Sequence, residues 1–348
     1  MGIFNSSSVI STRELSKTFR AKVKSEGLSA SFRALIKPEW RTVDAVRGID
    51  LDVVRGEIVA FIGPNGAGKS TFIKMLCGIL YPSSGDISVL GISPQRERRR
   101  LAMKIGAVFG QKSQLWLHLP AADSFTLLAA IYEISDGERK RRIGELTELF
   151  GLAEFLHTPV RKLSLGQRVR CEVAASLLHE PEILFLDEPT IGLDVVVKQA
   201  IRELIVSRNR ERGTTVFLTS HDPADIEQLC RRAVVIDRGA IVLDQPVDKM
   251  RSEYLGKKLV DVTFGVPQAL PELEGVTTAI RDGSADGIRS LRWTLSVDTE
   301  THPIGDIMHR LSALGNVLDI TINNPPMEEI IAAIFENQNA KYTSIGNI

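Results

Sequence analysis

Cysteine is scarce in this 348-residue sequence: Cys77, Cys171 and Cys230 are the three, widely spaced and set among apolar neighbours. No pair has metal-ligand spacing, so neither a zinc module nor a disulfide framework is indicated, and buried, reduced thiols are expected. Net charge is missing too. Lys and Arg together number 43 and Asp and Glu also 43, so no global field points to nucleic acid or anionic lipid as a partner. Gly and Pro are not in excess and there is no low-complexity tract. With 43% hydrophobic residues, the composition is that of an ordinary α/β protein, long enough to hold more than one folding unit.

The start, MGIFNSSSVI, lacks the basic region and apolar core of a secretory signal. Gly2 and Ser6 fit the loose myristoylation pattern, which is short enough to arise by chance. Uninterrupted long apolar runs are absent as well: residues 115–134 are broken in the middle by Pro120, Asp123 and Ser124. A charge at that depth is costly in a bilayer. The stretch is therefore expected to be a loop entering a buried helix, and the chain is expected not to cross a membrane.

What is present is an alternation of strands and helices. Residues 9–19 and 43–55 read as strands around an insert of about 20–42, which carries Arg20, Lys22, Lys24, Arg33, Lys37 and Arg41 against Glu26 and Glu39. Short apolar runs at 57–62, 105–109, 183–186, 215–218 and 233–236 have the texture of buried parallel strands. Helices are expected at 70–80, near 95–104 and over 124–157. The arginine-rich run 96–100 reads as a solvated helix face. This pattern implies a largely parallel sheet covered on both faces. After about residue 250 the texture changes to strands at 259–264 and 291–297, a helix at 304–314, a strand at 317–322 and a helix from Pro326. That is a small α+β appendage with no nucleophile–base pair and no metal cluster.

Gly63, Pro64, Asn65, Gly66, Ala67, Gly68, Lys69 and Ser70, followed by Thr71, fit G-x-x-x-x-G-K-[ST] in full, between an expected strand and an expected helix. Glycines let the backbone wrap phosphates, so that amides and a helix N-terminus face negative charge. Lys69 is placed to reach the β- and γ-phosphates, and the Ser70 hydroxyl to ligate Mg²⁺. A second signal is the apolar run ending in Asp187-Glu188. A carboxylate at such a strand edge holds Mg²⁺ in other nucleotide hydrolases, and Glu188, one residue on, is a candidate to polarise the attacking water.

With Leu163-Ser-Leu-Gly-Gln167 twenty residues before Ile183, the chain resembles the nucleotide-binding subunit of an ATP-binding cassette (ABC) transporter over about residues 9–250. The resemblance implies a P-loop NTPase fold of the ABC type, an α/β core with a helical signature subdomain at about 112–172, followed by the accessory region 251–348. It assigns Gln111 to the glutamine loop that reaches Mg²⁺ and senses the membrane partner. It also matches Asp194, in Gly192-Leu-Asp194, to the aspartate loop and His221 to the switch histidine at the γ-phosphate. Ser164, Gly166 and Gln167 are the signature residues that cover ATP bound to a second copy. Two departures matter. The signature's usual first glycine is Leu165, whose side chain is expected to restrict the turn. The adenine-stacking aromatic is either Phe19 or Trp40, with Trp40, twenty-three residues before Gly63, slightly preferred.

The implied function is ATP-driven, head-to-tail pairing of two such subunits, ATP and Mg²⁺ at each composite site, driving a separate transmembrane permease from the cytoplasmic face of the membrane. Trp116, Leu117 and Leu119 are the candidate docking residues. The stretches VFGQKSQLW, LSLGQR and DEPTIGLD most resemble a bacterial subgroup of export ATPases, so export is expected and nucleic acid is not. Two other readings stay open on sequence alone: a soluble ABC ATPase of DNA repair or translation, and a nucleotide-gated regulatory module with residues after 250 as sensor. Gln111 and Ser164 lie only about fifty residues apart, with no heptad run and no CxxC between them, which weighs against the first.

Overall fold

Apolar runs too short for helices and bounded by turns become the strands of two sheets in the first part of the chain. In the computed structural model, residues 7–22, 40–110, 113–220, 222–253, 257–268, 270, 273, 276–282, 290–299 and 301–345 are described. Their strands run β1 (Ser8–Lys22), β2 (Trp40–Val54), β3 (Ile58–Ile62), β4 (Ser84–Val89), β5 (Ile105–Phe109), β6 (Ile183–Asp187), β7 (Thr215–Thr219), β8 (Arg232–Asp237) and β9 (Ala240–Pro246). Six form one sheet in the order β5-β6-β7-β3-β8-β9, and three form an antiparallel sheet in the order β2-β1-β4. The chain divides into two units, Met1–Gln245 and Pro246–Ile348.

Register decides what the larger sheet can do. Phe109 pairs with Asp187, Asp187 with Thr219, and Thr219 with Phe61, all in parallel. The carboxyl ends of β5, β6, β7 and β3 therefore lie in one row, where ligands of open parallel sheets bind. Strands β3 and β7 are buried at every position, as a sheet covered on both faces requires.

Helix α1 (Lys69–Leu76) leaves that row directly after the glycine-rich turn. The Phe72 ring stacks on Phe61 with centroids 5.0 Å apart, Phe61 meets Phe217 at 5.3 Å and Phe217 meets Phe185 at 6.0 Å. Four rings thus lock α1 to three adjacent strands, each contact adding about 0.5–1.5 kcal/mol beyond burial. The helix stops at Leu76, short of the expected 80. Gly78 adopts φ 68°, its N–H donates to the Met75 carbonyl at 3.0 Å, and the Ile79 N–H donates to that of Lys74 at 2.8 Å. This pair of bonds closes a helix at a glycine.

Helix α2 (Arg98–Ala102) is a short, solvated piece of the expected 95–104 stretch. The expected single helical region 124–157 is two helices, α3 (Ala121–Ile131) and α4 (Asp136–Phe150), separated where Glu133 turns to φ 57°. They are followed by α5 (Leu165–Leu177), α6 (Val195–Arg212) and α7 (Pro223–Leu229). Helix α3 takes the apolar run and buries Ala121, Phe125, Leu128 and Ala129 while exposing Leu127 and Ile131. Among the described residues no helix is long and apolar enough to cross a membrane. All three cysteines are buried and unbridged; burial pushes the Cys171 thiol up to about 12. Strands β1 and β2 extend into both ends of the expected insert, and residues 23–39 lie outside the described residues.

The second unit starts with helix α8 (Val247–Ser252). Strands β10 (Lys257–Gln268), β11 (Val276–Asp282), β12 (Ser290–Asp298) and β13 (Val317–Asn323) form an antiparallel sheet in the order β11-β12-β10-β13, with α9 (Ile304–Ala313) and α10 (Met327–Ile345). Val260, Val262 and Phe264 alternate in step with Trp293, Leu295 and Val297, all buried with Ile307 and Leu311 of α9. Period two places each trio on one face. Strand β11, VTTAIRD, was not foreseen, because only scattered apolar residues mark it.

One histidine ties the helical region to the sheet. The His179 ring lies flat on Tyr132 at 3.8 Å, and its Nε2 lies 2.9 Å from the Ile105 carbonyl. Desolvation lowers its pKa to about 4 from 6.5, against the raising effect of the Ile105 bond and with a smaller lowering from Arg142. The unfolded chain therefore binds this proton first. The stability His179 contributes is fully present above pH 6.5 and is lost progressively as pH falls to about 4. Urea unfolding of the His179→Gln chain is expected to depend less on pH across that window than unfolding of the parent. Parallel loss in both chains would clear His179 of that role.

Candidate active site

The turn 63–70 closes because glycine alone fits two of its positions. A Cβ on Gly68, which sits at φ 108°, would stand 2.2 Å from the Ala45 carbonyl oxygen, and one on Gly63 would stand 2.4 Å from that of Ile236. Behind the turn Lys69 is 5% exposed. Its Nζ donates to the Gly63 carbonyl at 2.6 Å and to that of Pro64 at 3.2 Å, and Glu188 Oε1 stands 3.8 Å away. Desolvation lowers the lysine's pKa, opposed by the charges of Glu188 and Asp187. Around this cation lies a cleft of about 420 Å³ lined by Asn65, Gly66, Gly68, Lys69, Ser70, Thr71, Asp187 and Glu188, among others. Backbone amides, a cation and a helix N-terminus converge there, which is chemistry for phosphate.

The Asp187 carboxylate and the Glu188 backbone are held by one residue that no sequence motif marks. Thr219, fully buried at the end of β7, donates its hydroxyl to Asp187 Oδ1 at 2.7 Å and accepts the Glu188 N–H at 3.0 Å. Glu188 itself sits at φ 54°, a left-handed conformation that costs a non-glycine residue about 1–3 kcal/mol. Nothing beyond the strand-end position of Thr219 marks it in the sequence.

The signature lies elsewhere on the chain. Ser164 is the N-cap of α5: its hydroxyl accepts the Gln167 N–H at 3.2 Å, while Gln167 Oε1 accepts the Ser164 N–H at 2.9 Å. This reciprocal capping box uses the Gln167 side-chain oxygen as acceptor and the Ser164 hydroxyl oxygen as acceptor, leaving the Ser164 hydroxyl proton to donate. Asp194 likewise caps α6, accepting the Val197 N–H at 2.9 Å. Ser164, Gly166, Gln167 and Asp194 do not line the Lys69 cleft. Gln111 and His221 lie outside the described residues.

A model of the ABC transporter family matches residues 46–191. The daunorubicin resistance ATP-binding protein DrrA3 of Streptomyces coeruleorubidus is 32% identical over 308 residues, covering 82% of this chain and 89% of that protein. This chain belongs to the ATP-binding subunits of ABC transporters. The fluoroquinolones export ATP-binding protein of Mycobacterium tuberculosis is 37% identical over 221 residues, 61% of this chain and 71% of that protein. Among solved structures, the dimeric post-hydrolysis state of the ATP-binding cassette MJ0796 bound to ADP and Pi matches with a TM-score of 0.58 at 26% identity, covering 68% of this chain and 98% of that one. The cassette binds and hydrolyses ATP as a transporter subunit. Such cassettes work as dimers and with transmembrane components.

Within the cassette, a second unforeseen group fastens the segment beside His221. Asp225, fully buried, accepts the hydroxyls of Thr190 and Ser220 and the Arg202 Nε–H, each at 2.6 Å. Asp222 receives Lys198 at 2.6 Å. Burial pulls the Asp222 pKa up, but the bonds from Lys198 and the Ala224 N–H, with the charges of Lys198 and Arg202, leave it below the usual range. Breaking one partner of the buried Arg202–Asp225 pair leaves an uncompensated charge.

Two sequence expectations need adjusting. Leu165 is the first residue of α5 and is not among the residues at positive φ, so its side chain does not restrict the turn. It is exposed and approaches Gly192: a Cβ there would stand 3.1 Å from Leu165 Cδ2. Trp40 pairs with Lys22, far along the hairpin, whereas Phe19 pairs with Val43, two residues from the cleft-lining Ala45. The register sets Phe19 nearer than Trp40 to the cleft end of the hairpin.

Lys69→Ala is expected to abolish nucleotide binding measured by calorimetry. Thr219→Val takes the hydroxyl donor from Asp187, while the Glu188 N–H keeps the Thr219 carbonyl at 3.1 Å. Steady-state assay is expected to show hydrolysis slowed about tenfold, the equivalent of about 1.4 kcal/mol, with ATP affinity little changed.

Proposed function

We propose that two copies of this cassette close head to tail, each Lys69 cleft being covered by the Ser164 end of α5 from the other copy. The observation that carries this reading is the separation within one chain: the phosphate cradle with Glu188 lies in one place, and an exposed helix N-terminus with a free hydroxyl proton lies in another. The cradle leaves a γ-phosphate open on one side, and a second helix N-terminus supplies the missing positive potential. Exposed apolar residues support closure against a second copy: Ile191 is 60% exposed, Val195 79% and Val196 78%, more apolar surface than one loop of a monomer usually presents to water.

The chemistry follows from the local bonds. Lys69, now on the Gly63 and Pro64 carbonyls, turns to the phosphate oxygens, and Glu188 is released from its 3.8 Å pairing with that cation to orient and deprotonate water. The residues fit Mg²⁺: Ser70 and Asp187 line one cleft, and Gln111 is their third expected ligand. Held there, Mg²⁺ would supply positive charge against that developing on the phosphates. His221 meets the γ-phosphate from the segment held by Asp225, Asp194 orders the start of α6 at the closing face, and Phe19 stacks on adenine. ATP favours the closed pair because it binds that state better.

Work is delivered to a separate membrane permease, which holds the cassette at the cytoplasmic face of the membrane. Trp116 and Leu117, both exposed, and half-buried Leu119 continue toward exposed Leu127 and Ile131 on α3, an apolar surface suited to a short permease helix. Export of an organic, drug-like compound is the direction suggested by the relatives' daunorubicin and fluoroquinolone functions.

Glu188→Gln is expected to retain ATP, lose at least 10²-fold in hydrolysis and accumulate as an ATP-bound dimer in light scattering. A chain that stays monomeric at saturating ATP rules the composite site out.

A further inference from the structure

One buried carboxylate joins the loop after Gln111 to the helix that presents the signature. Glu172 lies on α5, eight residues beyond Ser164 and about 12 Å along the helix, and is only 6% exposed. A carboxylate so placed carries a large desolvation cost unless its oxygens are satisfied. They are. Ser113 Oγ donates to Oε1, and the Gln114 N–H donates to Oε2 at 3.1 Å. The attachment is doubled, because Gln114 Nε2 also donates to the Glu172 backbone carbonyl at 2.8 Å.

The other end of this segment reaches the catalytic row. The Gly110 N–H donates to the Asp187 carbonyl at 3.1 Å. After the tie to Glu172, Leu115 is buried and the Trp116 N–H donates to the fully buried Ser124 hydroxyl at 3.2 Å. A cavity of about 290 Å³ separates the end of β5 from α5, with Gly110, Ser113, Leu165, Glu172 and Glu188 in its walls. The cavity parts the two elements only at this end, since farther back a Cβ on Gly106 would stand 2.4 Å from the Ser176 carbonyl oxygen, and across the gap the Glu172 bonds tie segment 113–114 to α5. Burial raises the Glu172 pKa, opposed by the bonds from Ser113, Gln114 and Leu115 and by the charge of Arg168.

We propose that Glu172 is a positioning residue that makes segment 113–115 and α5 move as one body, so that a chain's own nucleotide site sets where its Ser164 is presented to the second copy. The proposal rests on the composite-site reading above. It explains why an acidic side chain is buried midway along α5, a position where an apolar residue would pack without the desolvation cost.

The test uses the full chain in the Glu188→Gln background, with ATP as the probe. Two quantities are measured: ATP affinity at dilute, monomeric protein, and the dimer dissociation constant at saturating ATP. Glu172→Gln keeps the volume but turns an acceptor into a donor facing Ser113 or Gln114. Ser113→Ala removes, from a surface position, the bond to Glu172 together with the local hydroxyl contacts to the Leu115 backbone, and leaves α5 intact. Each is expected to weaken the dimer about tenfold while monomer ATP affinity stays within twofold, and the double variant is expected to be no weaker than Glu172→Gln alone. A merely structural role predicts a different split, with ATP affinity and dimer affinity falling together and the two losses adding. That result, or unchanged dimer affinity in Ser113→Ala and Glu172→Gln alike, overturns the proposal. If the Glu188→Gln chain itself never dimerises, the composite-site reading falls, and this inference with it.

Discussion

The catalytic half of the chain depends on the parallel register that sets Phe109, Asp187, Thr219 and Phe61 in one row. Once that row exists, the turn before α1, the two carboxylates and the segment leading to His221 all emerge at the same sheet edge. The register is maintained by burial on both faces, above all by the rings of Phe61, Phe72, Phe185 and Phe217. A slip of one residue would reverse the facing of every side chain in a strand. It would also take the Thr219 hydroxyl away from Asp187.

Around that row, charge is compensated locally before any ligand is considered. Lys69 rests on the carbonyls of its own loop and beside Glu188. Ser164 and Gln167 satisfy each other, and Asp194 satisfies the first turn of α6. Each of these bonds is modest, about 0.5–1.5 kcal/mol net between neutral groups and about 1.5–3 where Lys69 or Asp194 takes part, and each uses a group that also suits phosphate or a second copy. Exchange of partners at little net cost is what lets a site open and close repeatedly, whereas the strained Glu188 backbone and the buried Asp225 cluster hold the frame still.

The second unit shows a different economy. Its antiparallel sheet buries one face through strict alternation on β10 and β12. Among the described residues of the chain, no three His, Cys, Asp or Glu gather as a metal site. Its sequence carries the alternation that packs this sheet on α9.

By itself the sequence determined the family and the buried parallel strands, because both depend on local spacing: motifs at fixed distances and apolar runs of strand length. It also located the second unit, through a change in texture. Tertiary structure alone decided the rest. Thr219, Asp225 and Glu172 act on partners distant in sequence, so no local pattern announces them. The placement of Phe19 nearer than Trp40 to the cleft end of the hairpin comes from strand register across an insert. That Leu165 needs no glycine conformation follows from an ordinary helical φ at a helix start. Sequence spacing specifies which groups a turn or helix end can offer; only the packed sheet specifies which of them meet.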